Sequence, residues 1–291
     1  MRTGGQAGLK IMDQDLIVRT QERMEEKDLY DLTRAVVLLE KPGLGIRIIS
    51  LIGYPIEGVL NALPKRLAGA IGNIAAKAVG TAFYTALRTM NKKSRGKPLR
   101  WPHRLLVFLS GAVGGFFGFP GLMLELPFST TLMFRSIADI ARREGEDLSS
   151  GDTQMACITV FALGGRSKTD NPADTAYYAI RAAVARTLSE AAEFIAQRGM
   201  MEEGAPMLVR LMANVASRFG IIVTDKVAAE IMPIFGALGG ASVNLVFINH
   251  LQAAAQGHFI VRRLERKYGG ESVRREYEKV LKKIRSRPFG Q

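Results

Sequence analysis

Glu125 is the residue whose position asks most for chemistry. It follows directly on Leu105–Leu124, 20 residues without a charge, and an ionised carboxylate in such company is costly unless paired. Its expected partners are Arg135 on the same helix or a residue from elsewhere in the chain. Arg135 and Asp139 stand at i and i+4, where helical side chains meet across one turn. With His258 added, these groups could compose a hydrolytic site in which Glu125 acts as general base, relays charge or holds a ligand. The simpler reading is an ion-paired helix face that locks two helices together, since structural networks perturb charged groups as catalytic sites do.

Nothing else in the chain has catalytic spacing. The sequence contains no HExxH, GxSxG, Walker-type GxxxxGK or CxxC, the patterns that place a metal, a nucleophile or a phosphate cradle. The histidines are His103, His250 and His258. The last two stand more than two helical turns apart, whereas zinc prefers histidine pairs at i, i+3 or i+4. They read as ordinary, partly buried side chains. No metal site and no cofactor is expected. The lone cysteine, Cys157, excludes an intramolecular disulfide and fits a reducing compartment.

The positive charge carries more information. The chain bears a net +13, and all of it resides in two segments. One, Asn91–Arg104, holds Lys92, Lys93, Arg95, Lys97, Arg100 and Arg104 with no acid. The other is the C-terminal stretch from Phe259, which includes Arg274, Arg275, Lys279, Lys282, Lys283 and Arg285. Such segments point to an anionic partner, lipid headgroups or nucleic acid. Trp101, the only tryptophan, sits among the arginines just ahead of the apolar run. Tryptophan and cations at the edge of an apolar helix describe a membrane interface, with the basic side cytoplasmic. Nucleic acid ranks lower, because no recognisable binding module occurs and the tail has few aromatics for base stacking.

Helices must position these groups. Asp170-Asn171-Pro172 reads as a helix start and Gly199 as the stop. Pro206 opens another helix that Gly220 ends. Leu67–Met90 is Ala- and Gly-rich with a helical apolar face, and Ser272–Arg285 is short, charged and helical. Gly43–Ile52 could pass for a strand, but one isolated β-rich decamer makes no sheet, so it reads as helix or linker. After Pro120-Gly121 a helix is expected to about Arg143, ended by the turn at Glu144-Gly145. At 100° per residue Leu126, Met133, Ile137 and Ile140 share one side, and Glu125, Ser129, Arg135, Ser136 and Asp139 the other. The apolar stretches 105–124 and 231–249 carry matching glycine patterns, Gly111/Gly115 and Gly236/Gly240. Glycines at i and i+4 strip a helix face and let another backbone approach closely. Asn244, near the second pattern, is expected to satisfy buried hydrogen bonds.

The run Leu109-Ser-Gly-Ala-Val-Gly-Gly-Phe-Phe-Gly-Phe-Pro-Gly-Leu-Met-Leu-Glu-Leu-Pro127 continues through Arg135-Ser-Ile-Ala-Asp139, Glu144-Gly-Glu-Asp147 and Val160-Phe-Ala-Leu-Gly-Gly165. With Ser217-Arg-Phe-Gly220 and Gly257-His-Phe-Ile-Val-Arg-Arg-Leu-Glu-Arg-Lys-Tyr-Gly269, it resembles the EcsC protein family from about Pro55 to Tyr277. The resemblance implies a bacterial protein linked by name to an ABC-type exporter, and it carries no catalytic residue with it.

The expected fold class is all-α, a multi-helix bundle with Gly-rich, closely packed central helices. Its expected parts are a variable helical region over 1–54, an EcsC-like domain over 55–270 and a basic C-terminal helix and tail over 271–291. The expected function is that of an accessory binding protein at the cytoplasmic face of the inner membrane, peripheral, with deeper insertion left open. Lys92–Arg104 and the basic tail would meet anionic lipid, and a membrane transporter or another protein could be a further partner. A hydrolase around Glu125, Arg135 and Asp139, or a carrier of apolar ligands, are the alternatives.

Overall fold

The computed structural model describes residues 24–40, 80–82, 85, 100–164, 176–198 and 236–286. Every regular element among them is helical: α1 (Glu26–Leu39), α2 (Arg100–Arg143), α3 (Gly151–Gly164), α4 (Ala176–Arg198), α5 (Gly236–Tyr268) and α6 (Gly270–Arg285). The chain is all-α, as the helix caps and periodicities indicate. The Gly43–Ile52 stretch, the Pro206–Gly220 helix, the basic residues Lys92, Lys93, Arg95 and Lys97, and the Asp170-Asn171-Pro172 cap lie outside the described residues.

Two units compose the chain. One joins Met1–Leu38 to Gly257–Gln291, and the other is Leu39–Gln256.

In the larger unit the decisive feature is the shape of α2. It is helical throughout its 44 residues, and at 1.5 Å per residue a straight rod would hold Ser110 and Glu125 roughly 22 Å apart. Their side chains instead meet at 3.2 Å. His103 and Asp139, which a straight helix would separate by about 54 Å, lie 3.9 Å apart. The helix is therefore folded back on itself as two antiparallel legs, reversing between Gly114 and Glu125, where the sequence supplies Gly118, Pro120 and Gly121. Proline and glycine are the usual causes of sharp helix bends. The helices expected on either side of Pro120-Gly121 are these two legs.

Gly114 is what lets the legs close. A Cβ there would stand 2.9 Å from Cγ and 3.0 Å from Cβ of Glu125, inside any tolerable contact. The glycine pattern read from the sequence named Gly111 and Gly115; the close approach at Gly114, between them, is one that pattern did not name. Gly111 is buried on the first leg. Gly115 lies within α2, and Gly236 and Gly240 lie in the opening turns of α5. The packing expected of Gly115, Gly236 and Gly240 falls outside what is described.

The second leg ends as the sequence indicates. Gly145 takes φ +84°, and the amides of Gly145 and Glu146 donate to the carbonyls of Arg142 and Ala141. This is the paired closing pattern of a left-handed glycine cap. Asp147 then accepts from the amide and hydroxyl of Ser149, and Thr153 donates to the buried Glu146, so α3 starts at a pinned turn. From Thr153 to Ala162 every residue of α3 is buried, the signature of a helix enclosed on all sides. It packs against both α2 and α4; Phe134 stacks on Phe161 at 4.8 Å, and Ile180 and Val184 pack on Ala162.

Leu126, Met133, Ile137 and Ile140 on the apolar side of the second leg are buried, and so are Glu125, Ser129 and Ser136 on its polar side. The first leg and α5 supply Glu125 with hydrogen-bonding partners, α5 supplies Ser136, and Arg143 stays exposed.

The smaller unit is held by charge as well as by apolar packing. Leu32, Ala35 and Val36 of α1 are buried, as are Phe259, Leu264, Val273, Tyr277 and Leu281. Gly269, at φ +83°, takes a conformation that side chains resist and makes the turn from α5 into α6. Asp28 accepts from Lys267 Nζ at 2.7 Å and from the Tyr268 hydroxyl at 2.7 Å. Arg263 reaches Asp31 at 2.6 Å. Burial alone would raise the Asp28 carboxyl, but the hydrogen bonds from Lys267 and Tyr268, with the charges of Lys267 and Arg263, hold it below the usual carboxylate range. The hydrogen bonds to Asp28 and Glu25 hold the Lys267 ammonium above its ordinary value.

Both the close approach and the charged clasp can be tested by substitution. Gly114→Ala should cost about 1–3 kcal/mol of stability through overpacking against Glu125, read from urea unfolding. For Asp28 the depressed carboxyl contributes stability above about pH 4, its ordinary value, which is lost as the pH falls through the native one. Asp28→Asn should therefore lower stability at neutral pH by about 1–2 kcal/mol and flatten the acid limb of a Tm-against-pH profile. An unchanged acid limb would show that the clasp contributes nothing.

Candidate functional site

Two of the polar groups that the sequence singled out, Glu125 and Asn244, meet in a knot inside the larger unit. Glu125 is 5% exposed and Asn244 fully buried. Asn244 Nδ2 donates to Glu125 Oε1 at 2.6 Å and to the Val107 carbonyl at 2.9 Å. Its two hydrogens thus reach one acceptor on each leg of α2. The Ser110 hydroxyl lies 3.2 Å from the same Glu125 oxygen and 3.0 Å from the Val107 carbonyl, so its single proton is shared between them. The Oδ1 atom of Asn244 is buried without a partner in the structure. Asn244 satisfies buried hydrogen bonds, as expected of it, and it is the partner from elsewhere in the chain that Glu125 needs.

A second amide repeats the arrangement two turns further along α5. Gln252 accepts from Arg104 Nε on the first leg at 2.7 Å and donates to Ser136 Oγ on the second at 2.8 Å. Asn244 and Gln252 therefore act as two rungs, each tying α5 to both legs. Sequence reading missed Gln252, Ser110 and Gly114. A signal for Gln252 was present: within an apolar helix it stands eight residues from Asn244, close to the same face.

The proposed catalytic group is distributed differently. Arg135 stands ten residues from Glu125 on the same leg, about 15 Å along the axis, too far for the pairing the sequence suggested. Asp139 is engaged by Arg142 at 3.0 Å, with His103 beside it. His258 belongs to the smaller unit, where its ring meets Phe259 edge-on at 5.1 Å. Among the described residues no group of three or more His, Cys, Asp or Glu side chains could hold a metal ion.

Outside the knot the first leg is apolar and exposed. Leu105, Leu109, Val113 and Phe116 fall within an arc of about 80° at 100° per residue, and their exposure rises from 42% at Leu105 to 73% at Phe116. On the second leg Phe128 is also exposed. Among the described residues no helix is long and apolar enough to cross a membrane. In the smaller unit, α6 buries Val273, Tyr277 and Leu281 and turns Arg274, Arg275, Lys279, Lys282, Lys283 and Arg285 outward. Glu278 pairs with Arg274 and Glu276 with Lys279. Lys282 and Lys283 have no acidic partner among the described residues.

The knot is testable by a double-mutant cycle. Removing the Asn244 amide leaves a buried carboxylate short of a donor, so Asn244→Ala should cost about 2–3 kcal/mol. In the background of Glu125→Leu the same change should cost about 1 kcal/mol less or better, as expected of directly coupled neighbours. Additive unfolding free energies would show that the contact does not bear on stability.

No curated protein and no solved structure matches the chain. The family model of the EcsC protein family matches residues 66–264, a span that covers the glycine-closed hairpin, the buried knot and most of α5. The chain belongs to the EcsC protein family.

Proposed function

We propose that this EcsC-family protein is an accessory binding protein that works at an anionic membrane surface and not as a catalyst. The observation that carries the reading is the outward face of α6, where six cationic side chains stand exposed on one 16-residue helix. Each lysine or arginine held near an anionic leaflet contributes about 1 kcal/mol, so a few suffice for reversible attachment. The acid-free run of basic residues from Lys92 to Arg104, beside Trp101, supports the same partner. The knot around Glu125 argues in the same direction. Its carboxylate accepts from Asn244 and lies against Ser110, contacts that hold helices together. An accessory role in an export or envelope process, which the family's name implies, would use this surface contact.

Sedimentation with vesicles tests the proposal. The protein should pellet with vesicles containing phosphatidylglycerol, pellet far less with phosphatidylcholine alone, and be released by salt. Removing three charges through Arg275→Gln, Lys282→Gln and Lys283→Gln should weaken binding by about 3 kcal/mol, on the order of 100-fold. Binding to duplex DNA in preference to anionic vesicles would overturn the reading, as would equal binding to both kinds of vesicle.

A further inference from the structure

The α2 hairpin is not accounted for by surface charge. Four apolar side chains, Leu105, Leu109, Val113 and Phe116, line its outer face, and they become more exposed toward the reversal. Water is a poor solvent for such a strip, and contiguous exposed apolar surface marks an interaction site. Its length is informative. From Leu105 to Phe116 the helix rises about 16 Å, close to the roughly 15 Å thickness of a single hydrocarbon leaflet.

We infer that the hairpin seats in one leaflet of an anionic bilayer, reversal foremost, with both legs returning to the same side. This rests on the membrane-surface reading above and adds the element, the depth and the orientation. Three features fit the hairpin to lipid. A helix that turns back on itself has its two ends on one side and needs only half a bilayer. The polar groups that would oppose insertion, Ser110 and Glu125, are turned inward and bonded to Asn244, so they need not be presented to the acyl chains. In sequence the strip directly follows Asn91–Arg104, with its six basic residues and no acid, a composition that suits anionic headgroups.

Depth is measurable in the full-length protein. Cys157 is buried and so shielded from labelling, which leaves a cysteine introduced by Phe116→Cys, Leu105→Cys or Arg143→Cys as the site for an environment-sensitive nitrobenzoxadiazole dye. On phosphatidylglycerol vesicles the dye at position 116 should brighten severalfold and be quenched best by a nitroxide deep in the acyl chains. At position 105 a nitroxide near the headgroup should quench best, and at position 143 the dye should stay accessible to aqueous quencher. If the protein pellets with the vesicles while position 116 stays open to aqueous quencher, the leaflet assignment falls and the surface reading stands. If the protein does not pellet at all, both fall.

Discussion

A carboxylate enclosed by helices has to be given hydrogen-bond donors, and the position of those donors then constrains everything around it. Here the donor amide comes from Asn244, and it reaches Glu125 on one leg of α2 while holding the Val107 carbonyl on the other. The contact sets the register of the two legs against each other and against α5. Gln252 makes the same three-way connection at a second height, so the legs can neither slide nor splay without breaking buried hydrogen bonds. Gly114 is the steric counterpart of this arrangement, since the short separation between legs at Glu125 is open only to a residue without a side chain.

Placing the polar groups inside has a corollary for the outside. The first leg has used its hydrogen-bonding residues on the knot, and what it turns away from α5 is leucine, valine and phenylalanine. The smaller unit follows the opposite rule: α6 buries Val273, Tyr277 and Leu281 and shows cations to solvent. An apolar ridge and a cationic face are the two surfaces on which the proposed membrane attachment rests.

The helical class was legible because its signals are local. Gly145 and Gly269 mark the ends of α2 and α5 through backbone conformations that other residues resist, and the charged, periodic C-terminal stretch became α6. The hairpin was not legible, because the contact of Ser110 with Glu125 depends on a reversal that helical periodicity does not encode. The i, i+4 spacing of Gly111 and Gly115 announced close packing on the first leg but gave no sign of the contact at Gly114, since spacing alone does not say which face the partner will meet. Periodicity likewise put Glu125, Ser129 and Ser136 on one side of the second leg without saying that tertiary contacts would enclose them. The partner of Glu125 was expected at Arg135 on its own helix or somewhere else in the chain, and a partner lies 119 residues away at Asn244. A sequence identifies a group that needs a partner and says little about which distant segment provides it.

The clasp between the two ends of the described chain bears on how the protein is made. Asp28 and Asp31 meet Lys267 and Arg263 across separations of 239 and 232 residues. A ribosome delivers the N-terminal portion first, so Leu32, Ala35 and Val36 emerge long before the helices of their unit exist. Until then α1 is a short amphipathic segment with its apolar side uncovered, a state prone to misassociation. Closing such a long loop is slow and comes late. The smaller unit is thus completed only after α5 and α6 have been synthesised, more than 200 residues behind α1.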